Sequence, residues 1–207
     1  MPGALRGRFI TFEGVDGAGK STQIDAIAQA LQQRGIDLVR TREPGGTALG
    51  EALRSVMLAQ AMDPLTETLL MFAARREHVL SVIEPALASA RWVLCDRFTD
   101  ASYAYQGAGR GVAAAHLDAL ANWVHHGLTP DLTVLVDIDP ALGQLRRARV
   151  RVSDRFETEA AGFFEKVRSA YLARAAAEGP RFLVVDGSGT ASAVTATILQ
   201  RLAPWLP

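Results

Sequence analysis

The sequence predicts a doubly wound α/β fold, in which helices cover both faces of a parallel sheet. The first observation is a set of short apolar runs, rich in Val, Ile, Leu and Phe, at residues 8–13, 37–41, 92–95, 132–138 and 181–185. Such continuous runs are typical of strands buried on both faces. The second observation is that segments with apolar residues every three or four positions lie between these runs, which indicates helices. The alternation predicts a five-stranded parallel sheet.

The helical segments between the predicted strands cover residues 20–34, 65–88, 115–126, 141–149, 160–178 and 191–202. Gly35 follows the first segment, as glycine often follows the C-terminus of a helix. Pro85 lies inside the second and lacks the backbone N–H that a helix interior requires, so we expect a kink or a division there. No long Pro/Gly/Ser-rich linker and no fixed-period repeat divides the chain, so we expect one domain over residues 1–207.

Composition excludes several classes of protein. The chain has 22 Lys and Arg against 22 Asp and Glu, so its overall charge does not favour binding to nucleic acid or to anionic membranes. It contains no apolar run long enough to span a membrane and no signal-peptide pattern at its N-terminus. Cys95 is the only cysteine, so an intramolecular disulfide is impossible. We therefore expect a cytoplasmic protein that binds a small molecule, with no nucleic acid and no membrane as partner.

Polar residues follow three of the predicted strands at the point where each strand ends. The first strand runs into Gly14, the second into Arg42 and Glu43, and the third into Asp96 and Arg97. Ligands of open α/β sheets bind beyond the carboxyl ends of the strands. The topology alone therefore predicts a crevice that combines a glycine loop, acidic side chains and two arginines.

The glycine loop is a complete phosphate-binding motif, because residues 14–21 match G-x-x-x-x-G-K-[ST] between a predicted strand and a predicted helix. Its glycines let backbone N–H groups surround phosphate oxygens, and the helix N-terminus adds positive potential. We expect Lys20 to neutralise the β- and γ-phosphates of ATP, and Ser21 to bind Mg²⁺. The predicted nucleotide-binding residues are Gly14, Val15, Asp16, Gly17, Ala18, Gly19, Lys20, Ser21 and Thr22.

The motif does not specify the reaction, since GTPases, ATPases and kinases share it. The only asparagine, Asn122, precedes Trp123, so the Asn-Lys-x-Asp element that reads guanine is absent, as is the Leu-Ser-Gly-Gly signature of ABC-type ATPases. Arg42 and Arg97 can bind a second anion bidentately, which favours a kinase for a small phosphorylated acceptor. A kinase for a nucleoside or a different monophosphate, and a nucleotide-binding regulator without turnover, remain alternatives.

Four blocks of the chain resemble thymidylate kinases of the bacterial type. They are residues 12–22, residues 41–47, residues 96–111 and an arginine-rich segment that ends at residues 154–157. The resemblance implies a P-loop, nucleoside-monophosphate-kinase-like fold with a short lid at about 146–157. It also implies ATP-dependent phosphorylation of dTMP to dTDP with Mg²⁺, and a homodimer formed through the apolar helices around 65–88 and 115–126.

The resemblance also implies roles for the residues around the phosphates. Asp16 is expected to face the acceptor sugar, and Arg42 and Arg97 to hold the acceptor phosphate. Glu43 and Asp96 are expected to organise the water shell of Mg²⁺, with Ser21 as the third metal-site residue. Gly17 stands where a variant of the family has arginine, so the catalytic arginine is expected from the lid, with Arg155 as the third candidate. The catalytic residues are then Lys20, Arg97, Asp16, Arg149 and Arg151.

Further roles concern the base and the deoxyribose of the acceptor. The resemblance places Ser102 and Gln106 at the edge of thymine, Tyr105 behind the deoxyribose and Arg75 near a base carbonyl. Two positions depart from the family pattern, since Ala101 stands where serine is frequent and Met71 where a base-stacking phenylalanine is usual. We expect the neighbouring Phe72 to stack on the base instead, which requires the helix to be rotated or shifted.

Overall fold

The computed structural model describes residues 6–147 and 161–206, which contain a five-stranded sheet. Its strands run in the order β2-β3-β1-β4-β5, and every neighbouring pair is parallel. Each strand lies within one residue of its predicted bounds, so the predicted sheet is confirmed. The strands are β1 (Phe9–Glu13), β2 (Leu38–Arg42), β3 (Trp92–Asp96), β4 (Leu132–Asp137) and β5 (Phe182–Asp186).

Helices alternate with the strands, and two short π-helical segments, Val79–Ile83 and Tyr103–Gly109, join some of them. In the described part of the chain the α-helices are α1 (Lys20–Gln32), α2 (Ala48–Ala59), α3 (Pro64–His78), α4 (Glu84–Ala88), α5 (Thr99–Ser102), α6 (Ala114–His125), α7 (Pro140–Arg147), α8 (Ala161–Ala177) and α9 (Ala191–Leu202).

Both faces of the sheet are covered, because successive side chains of a strand point to opposite sides. In β1, Ile10 and Phe12 belong to the larger core cluster, which contains residues of α1, α8 and α9. The intervening Phe9 belongs to a second cluster, with Val79 and Ile83 of the π-helical segment and residues of α4. This two-sided burial explains why the central strands β3, β1 and β4 are nearly continuous apolar runs, whereas the edge strands β2 and β5 have exposed positions.

The long helical segment predicted at 65–88 is divided, as expected from Pro85. It consists of α3, the π-helical turn Val79–Ile83 and α4. Pro85 has no N–H to donate to the carbonyl four residues earlier, so a regular α-helix cannot continue through it. One residue before the proline, the N–H of Glu84 donates instead to the carbonyl of Val79, five residues back.

Two helical regions were not predicted from the sequence. Helix α2 begins after Thr47, whose side chain accepts from the N–H of Gly50, and only Gly50 and Met57 of this helix are buried. Its apolar residues recur at helical spacing, although most of them are exposed. The second region is α5 with the π-helical segment Tyr103–Gly109, which is short and contains two glycines.

The strand order creates the crevice that the sequence predicted. Strand β1 lies between β3 and β4, and the chain moves to one side of β1 for β2 and β3 and to the other side for β4 and β5. Ligands of such sheets bind at this switch point, beyond the carboxyl ends of the strands. The phosphate loop follows β1 and therefore lies at the switch point.

Helix α7 packs directly on the phosphate loop, backbone against backbone. A Cβ atom on Gly143 would lie 2.6 Å from the carbonyl oxygen of Asp16, and one on Gly17 would lie 2.2 Å from the carbonyl oxygen of Gly143. Both positions therefore require glycine. Most of the predicted lid at about 146–157, with Arg149, Arg151 and Arg155, lies outside the described residues.

The α7 contact gives a first prediction, for the variant Gly143→Ala. Its methyl group would overlap the loop backbone, which we expect to lower Tm by about 3–10 °C in a thermal unfolding experiment. Gly162→Ala in α8 is the matched control, because a Cβ there meets nothing within 4 Å and alanine favours helix. Equal melting temperatures for the two variants would contradict the contact.

Candidate active site

Two adjoining cavities lie at the carboxyl ends of β1, β2 and β3. The larger, here called the phosphate-loop cavity, has a volume of about 620 Å³ and is lined by residues 16–23 and by side chains that include Arg42, Asp96 and Arg146. The smaller, here called the side cavity, has a volume of about 80 Å³ and is lined mainly by α2, α3 and the segment 101–106. The cavities share four residues, Asp16, Glu43, Arg54 and Arg97.

The phosphate loop has the geometry of an anion site. Gly19 caps α1 in the left-handed conformation, with φ 95°, and the first turn of α1 contains no acidic residue. The Lys20 ammonium is buried and donates to the carbonyls of Gly14 at 3.1 Å and Val15 at 3.2 Å. Burial lowers the pKa of Lys20, and the positive charge of Arg97 lowers it further. A polyphosphate at the loop would stabilise this charge.

Arg97 lies at the centre of a hydrogen-bonded network between the two cavities. Its Nη2 donates to Asp16 at 2.8 Å and to the Tyr105 hydroxyl at 2.9 Å, and its guanidinium lies 4.6 Å from the centre of the Tyr105 ring. Its Nη1 donates to the hydroxyl of Tyr171 at 3.0 Å. The structure thus brings together three residues that the sequence predicted, Asp16, Arg97 and Tyr105, and adds Tyr171 of α8.

Glu13 anchors this network from beneath the phosphate loop. It is fully buried, and its carboxylate accepts from the Tyr171 hydroxyl at 2.7 Å and from the N–H of Phe98 at 2.7 Å. Burial raises the pKa of Glu13 to about 7, and the negative charge of Asp100 adds to the rise. No role for Glu13 was predicted from the sequence, although an acidic residue at the end of an apolar strand, directly before the phosphate loop, indicates one.

Glu43 is held in a second buried network. It follows β2, is joined to Pro44 by a cis peptide bond, and accepts from Arg75 Nε at 2.7 Å and His78 Nδ1 at 2.9 Å. Both of its carboxylate oxygens thus have protein donors. Burial opposes ionisation, but Arg75 and His78 together hold the pKa of Glu43 below its usual value. Glu43 also lines the phosphate-loop cavity, and each of its oxygens can accept a further hydrogen bond, so its role in the water shell of Mg²⁺ stays a prediction.

Asp96 and Ser21 are the other two residues predicted at the magnesium site. Both line the phosphate-loop cavity, and Asp96 has one buried carboxylate oxygen without a hydrogen-bond partner. The described residues contain no cluster of three or more His, Cys, Asp or Glu side chains that could hold a metal by themselves. Mg²⁺ usually keeps several waters and is held by one or two protein groups together with substrate phosphates.

Two arginines from β2 and α2 border the cavities. Arg42, predicted to bind the acceptor phosphate, lines the phosphate-loop cavity and pairs with Glu51 of α2 at 2.8 Å. Arg54 lines both cavities and donates to the carbonyl of Pro44 at 3.1 Å. Arg54 was missed because α2 was missed. The sequence does indicate α2, and with it Arg54, because the capping residue Thr47 is followed by apolar residues at helical spacing.

The side cavity corrects one predicted base contact. Met71 lines this cavity, whereas Phe72 is buried in a core cluster with Leu117 of α6. The Phe72 ring lies 4.6 Å from the Arg75 guanidinium and does not reach the cavity wall. A stacking role for Phe72 therefore does not fit, because packing against α6 fixes the rotation of α3.

The remaining predicted base contacts divide into two groups. Tyr105 and Gln106 line the side cavity. Arg75 and Ser102 are buried and do not line it, and Arg75 Nη2 donates to the Ser102 hydroxyl at 3.1 Å. The other terminal nitrogen of Arg75, Nη1, is buried without a hydrogen-bond partner. The unsatisfied donor thus belongs to an arginine that also bonds Glu43, a residue of the cavity wall.

Comparisons with known proteins agree with this geometry. A family model described as thymidylate kinase matches residues 12–198. The chain belongs to the thymidylate kinase family. It is 54% identical over 196 residues to a thymidylate kinase of Methylobacillus flagellatus, covering 95% of this chain and 97% of that protein. It is 56% identical over 197 residues to a thymidylate kinase of Nitrosomonas europaea, covering 94% and 92% respectively.

A solved structure shows the same fold. The crystal structure of thymidylate kinase from Ehrlichia chaffeensis aligns with a TM-score of 0.80 at 33% identity, over 96% of this chain and 99% of that one. The chain is thus a phosphotransferase of the thymidylate kinase family, and the resemblance found in its four sequence blocks is confirmed. Among the described residues, every helix is too short or too polar to cross a membrane.

The buried position of Glu13 gives a prediction on pH. Its pKa of about 7 in the folded protein exceeds the ordinary 4.5, so between these values the folded state holds a proton that the unfolded state lacks. Its contribution to the free energy of unfolding therefore falls as pH rises from about 4.5 to 7. Glutamine cannot ionise, so the stability of Glu13→Gln relative to wild type should rise by roughly 1–3 kcal/mol between pH 5 and pH 8.

Urea unfolding of both proteins at several pH values measures this difference. Glu165→Gln, at an exposed position of α8, is the control and should show no comparable trend. A difference between Glu13→Gln and wild type that stays constant with pH would mean that Glu13 is ionised throughout this range.

Proposed function

We propose that this thymidylate kinase transfers the γ-phosphoryl group of ATP to dTMP and releases dTDP and ADP. The observation that carries the proposal is the pair of adjoining cavities, which share Asp16 and Arg97. One cavity is built on a phosphate loop, and the other has a wall of apolar and amide side chains. A nucleoside acceptor has no phosphate for Arg42 and Arg97 to bind. A regulator that binds only one nucleotide needs no second anion site.

ATP is the proposed occupant of the phosphate-loop cavity. Its phosphates would bind the loop N–H groups and Lys20. The far wall contains Gly187, Gly189 and Ala191, which follow β5, and Arg146 donates to the carbonyl of Gly187 at 2.8 Å. We assign this wall to the adenine end of ATP, because the phosphates would occupy the opposite side of the cavity, at the phosphate loop.

Mg²⁺ would be held by Ser21 and by Asp96, whose unpartnered oxygen can accept from a coordinated water. When bound, the cation offsets the negative charge of the ATP phosphates. Asp96 also lies beside Arg97 in sequence, so the residues that receive the two substrates are adjacent at the end of β3.

dTMP is the proposed occupant of the side cavity, with its phosphate toward the shared residues. Arg97 and Arg54 reach both cavities, and Arg42 lies at the rim of the larger one. Met71 would contact the face of the base in place of Phe72, while Gln106 would meet its edge. Arg75 would supply the donor for a base carbonyl through its unsatisfied Nη1.

The chemical step depends on the positioning of the two substrates and on positive charge near their phosphates more than on a general base. The second pKa of a phosphate monoester is near 6, so the acceptor is already mostly a dianion at pH 7. Lys20 and Arg97 offset the repulsion between the two anions, and Asp16 holds Arg97 in place at 2.8 Å. The Tyr105 hydroxyl, shared by Arg97 and Asp16, completes this arrangement.

The lid would supply the remaining positive charge and exclude water. Arg149 and Arg151 are the proposed residues that reach the transferring group, and such arginines contribute a factor of about 10³–10⁵ in related reactions. Helix α7 leads into this segment and is packed against the phosphate loop through Gly143. Closure over both substrates would limit transfer to water.

We further propose a cytoplasmic homodimer. On α3 and α6, which pack against each other, large apolar side chains are exposed: Leu65 is 41%, Leu69 50% and Trp123 79% accessible. Exposed apolar groups of this size are typical of an interaction surface. The single, buried Cys95 is consistent with a reducing compartment.

A substrate panel tests the reaction. The protein is mixed with ATP and Mg²⁺ and, separately, with thymidine, dTMP, dUMP, dCMP, AMP, GMP or UMP, and release of ADP is followed. We expect fast release with dTMP, slower release with dUMP and none with thymidine. Turnover of thymidine or of a purine monophosphate would discard dTMP as the acceptor. ATP binding without any turnover would favour the regulator.

Trp123→Arg tests the dimer. Because the Trp123 side chain is 79% exposed, its replacement should leave the protomer folded while placing a charge in the proposed interface. Light scattering after size-exclusion chromatography should report a dimer for wild type and a monomer for the variant. Leu145→Arg, at an exposed position of α7, is the control and should stay dimeric.

A further inference from the structure

The side-chain amide of Gln106 has a hydrogen-bonded nitrogen and an oxygen without a hydrogen-bond partner. It belongs to the π-helical segment Tyr103–Gly109, is fully buried and lines the side cavity. Its Nε2 donates to the carboxylate of Glu67 at 2.9 Å. Its Oε1 is buried and has no hydrogen-bond partner. One end of the amide is therefore bound to α3, and the other is left for a ligand.

Glu67 fixes the orientation of the amide, with its nitrogen bound to α3 and its oxygen turned away from Glu67. A carboxylate can only accept hydrogen bonds, whereas the amide carries donors on nitrogen and acceptors on oxygen. Turning the amide over would bring its oxygen against a carboxylate oxygen, with repulsion in place of a hydrogen bond. Glu67 is itself buried on α3, and its carboxylate lies 3.7 Å from the Nε of Arg110. Gln106 is thus set as an acceptor.

An acceptor at this place selects between pyrimidine bases. Thymine and uracil present an N3–H donor beside a carbonyl oxygen, whereas cytosine presents an N3 acceptor beside an amino group. An acceptor from Gln106 and a donor from Arg75 complement the first pattern and oppose the second. A buried group left unpaired by the wrong base makes such discrimination strong.

We propose that Glu67 is a specificity-determining residue, which holds Gln106 as an acceptor toward the imide N–H of the base and thereby excludes cytosine. Glu67 does not line the cavity, so it acts as a positioning residue through Gln106. This inference rests on the proposed function, since it requires a pyrimidine monophosphate in the side cavity. It leaves the phosphate contacts of Lys20 and Arg97 untouched.

Glu67→Gln tests the proposal, because glutamine offers both donors and an acceptor and so permits either orientation of Gln106. We expect the ratio of kcat/KM for dTMP to kcat/KM for dCMP to fall about 10- to 100-fold, by loss for dTMP and gain for dCMP. The kcat at saturating dTMP should change by only a few-fold. The donor from Arg75 persists, so selectivity should relax without reversing.

Glu67→Met, which removes both oxygens, is a second variant that should also lower the ratio even if Glu67→Gln does not fold. Glu77→Gln on the same helix is the matched control, since Glu77 accepts from Ser81 and lines neither cavity, and it should keep the wild-type ratio. A folded Glu67→Gln or Glu67→Met with the wild-type ratio overturns the role of Glu67 but leaves dTMP as the acceptor. A wild-type protein that phosphorylates no pyrimidine monophosphate overturns both.

Discussion

The placement of Arg97 is the constraint on which the site depends. Its guanidinium joins the phosphate loop through Asp16, the π-helical segment through Tyr105 and α8 through Tyr171. Tyr171 in turn donates to Glu13 at the end of β1. Three parts of the chain thus contact this cation directly, and a fourth, the end of β1, is joined to it through Tyr171. This network, and not the phosphate loop alone, holds the phosphate-loop cavity and the side cavity in their relative positions.

Burial makes this network rigid. A buried charge that loses its partner is far more costly than an exposed one, so each member constrains the others. The same reasoning applies to Glu43, whose two oxygens are taken by Arg75 and His78. The two networks approach each other at Phe98, whose N–H donates to Glu13 and whose carbonyl accepts from Arg75. Hydrogen bonds at Phe98 therefore link the two networks beside the side cavity.

The parts of the fold and of the site that depend on local sequence could be predicted. Fully buried parallel strands are continuous apolar runs, and the phosphate loop is a contiguous motif, so both were predictable. The rotation of α3 about its axis could not be predicted, because packing of Phe72 against Leu117 decides whether position 71 or 72 faces the cavity. Nor could pairing between residues 158 positions apart, such as Glu13 and Tyr171, be read from one sequence.

The π-helical turn Val79–Ile83 limits how the length of this chain can vary. Before the turn, Arg75 and His78 face the site, and after it Ala86 and Leu87 pack under the sheet. A π turn is equivalent to one residue inserted in an α-helix, and each residue of an α-helix rotates the chain by about 100°. Deleting one residue here would remove the π turn and turn Leu87 by about 100°, away from the sheet. Single-residue insertions and deletions are thus expected in the connecting loops rather than in this segment.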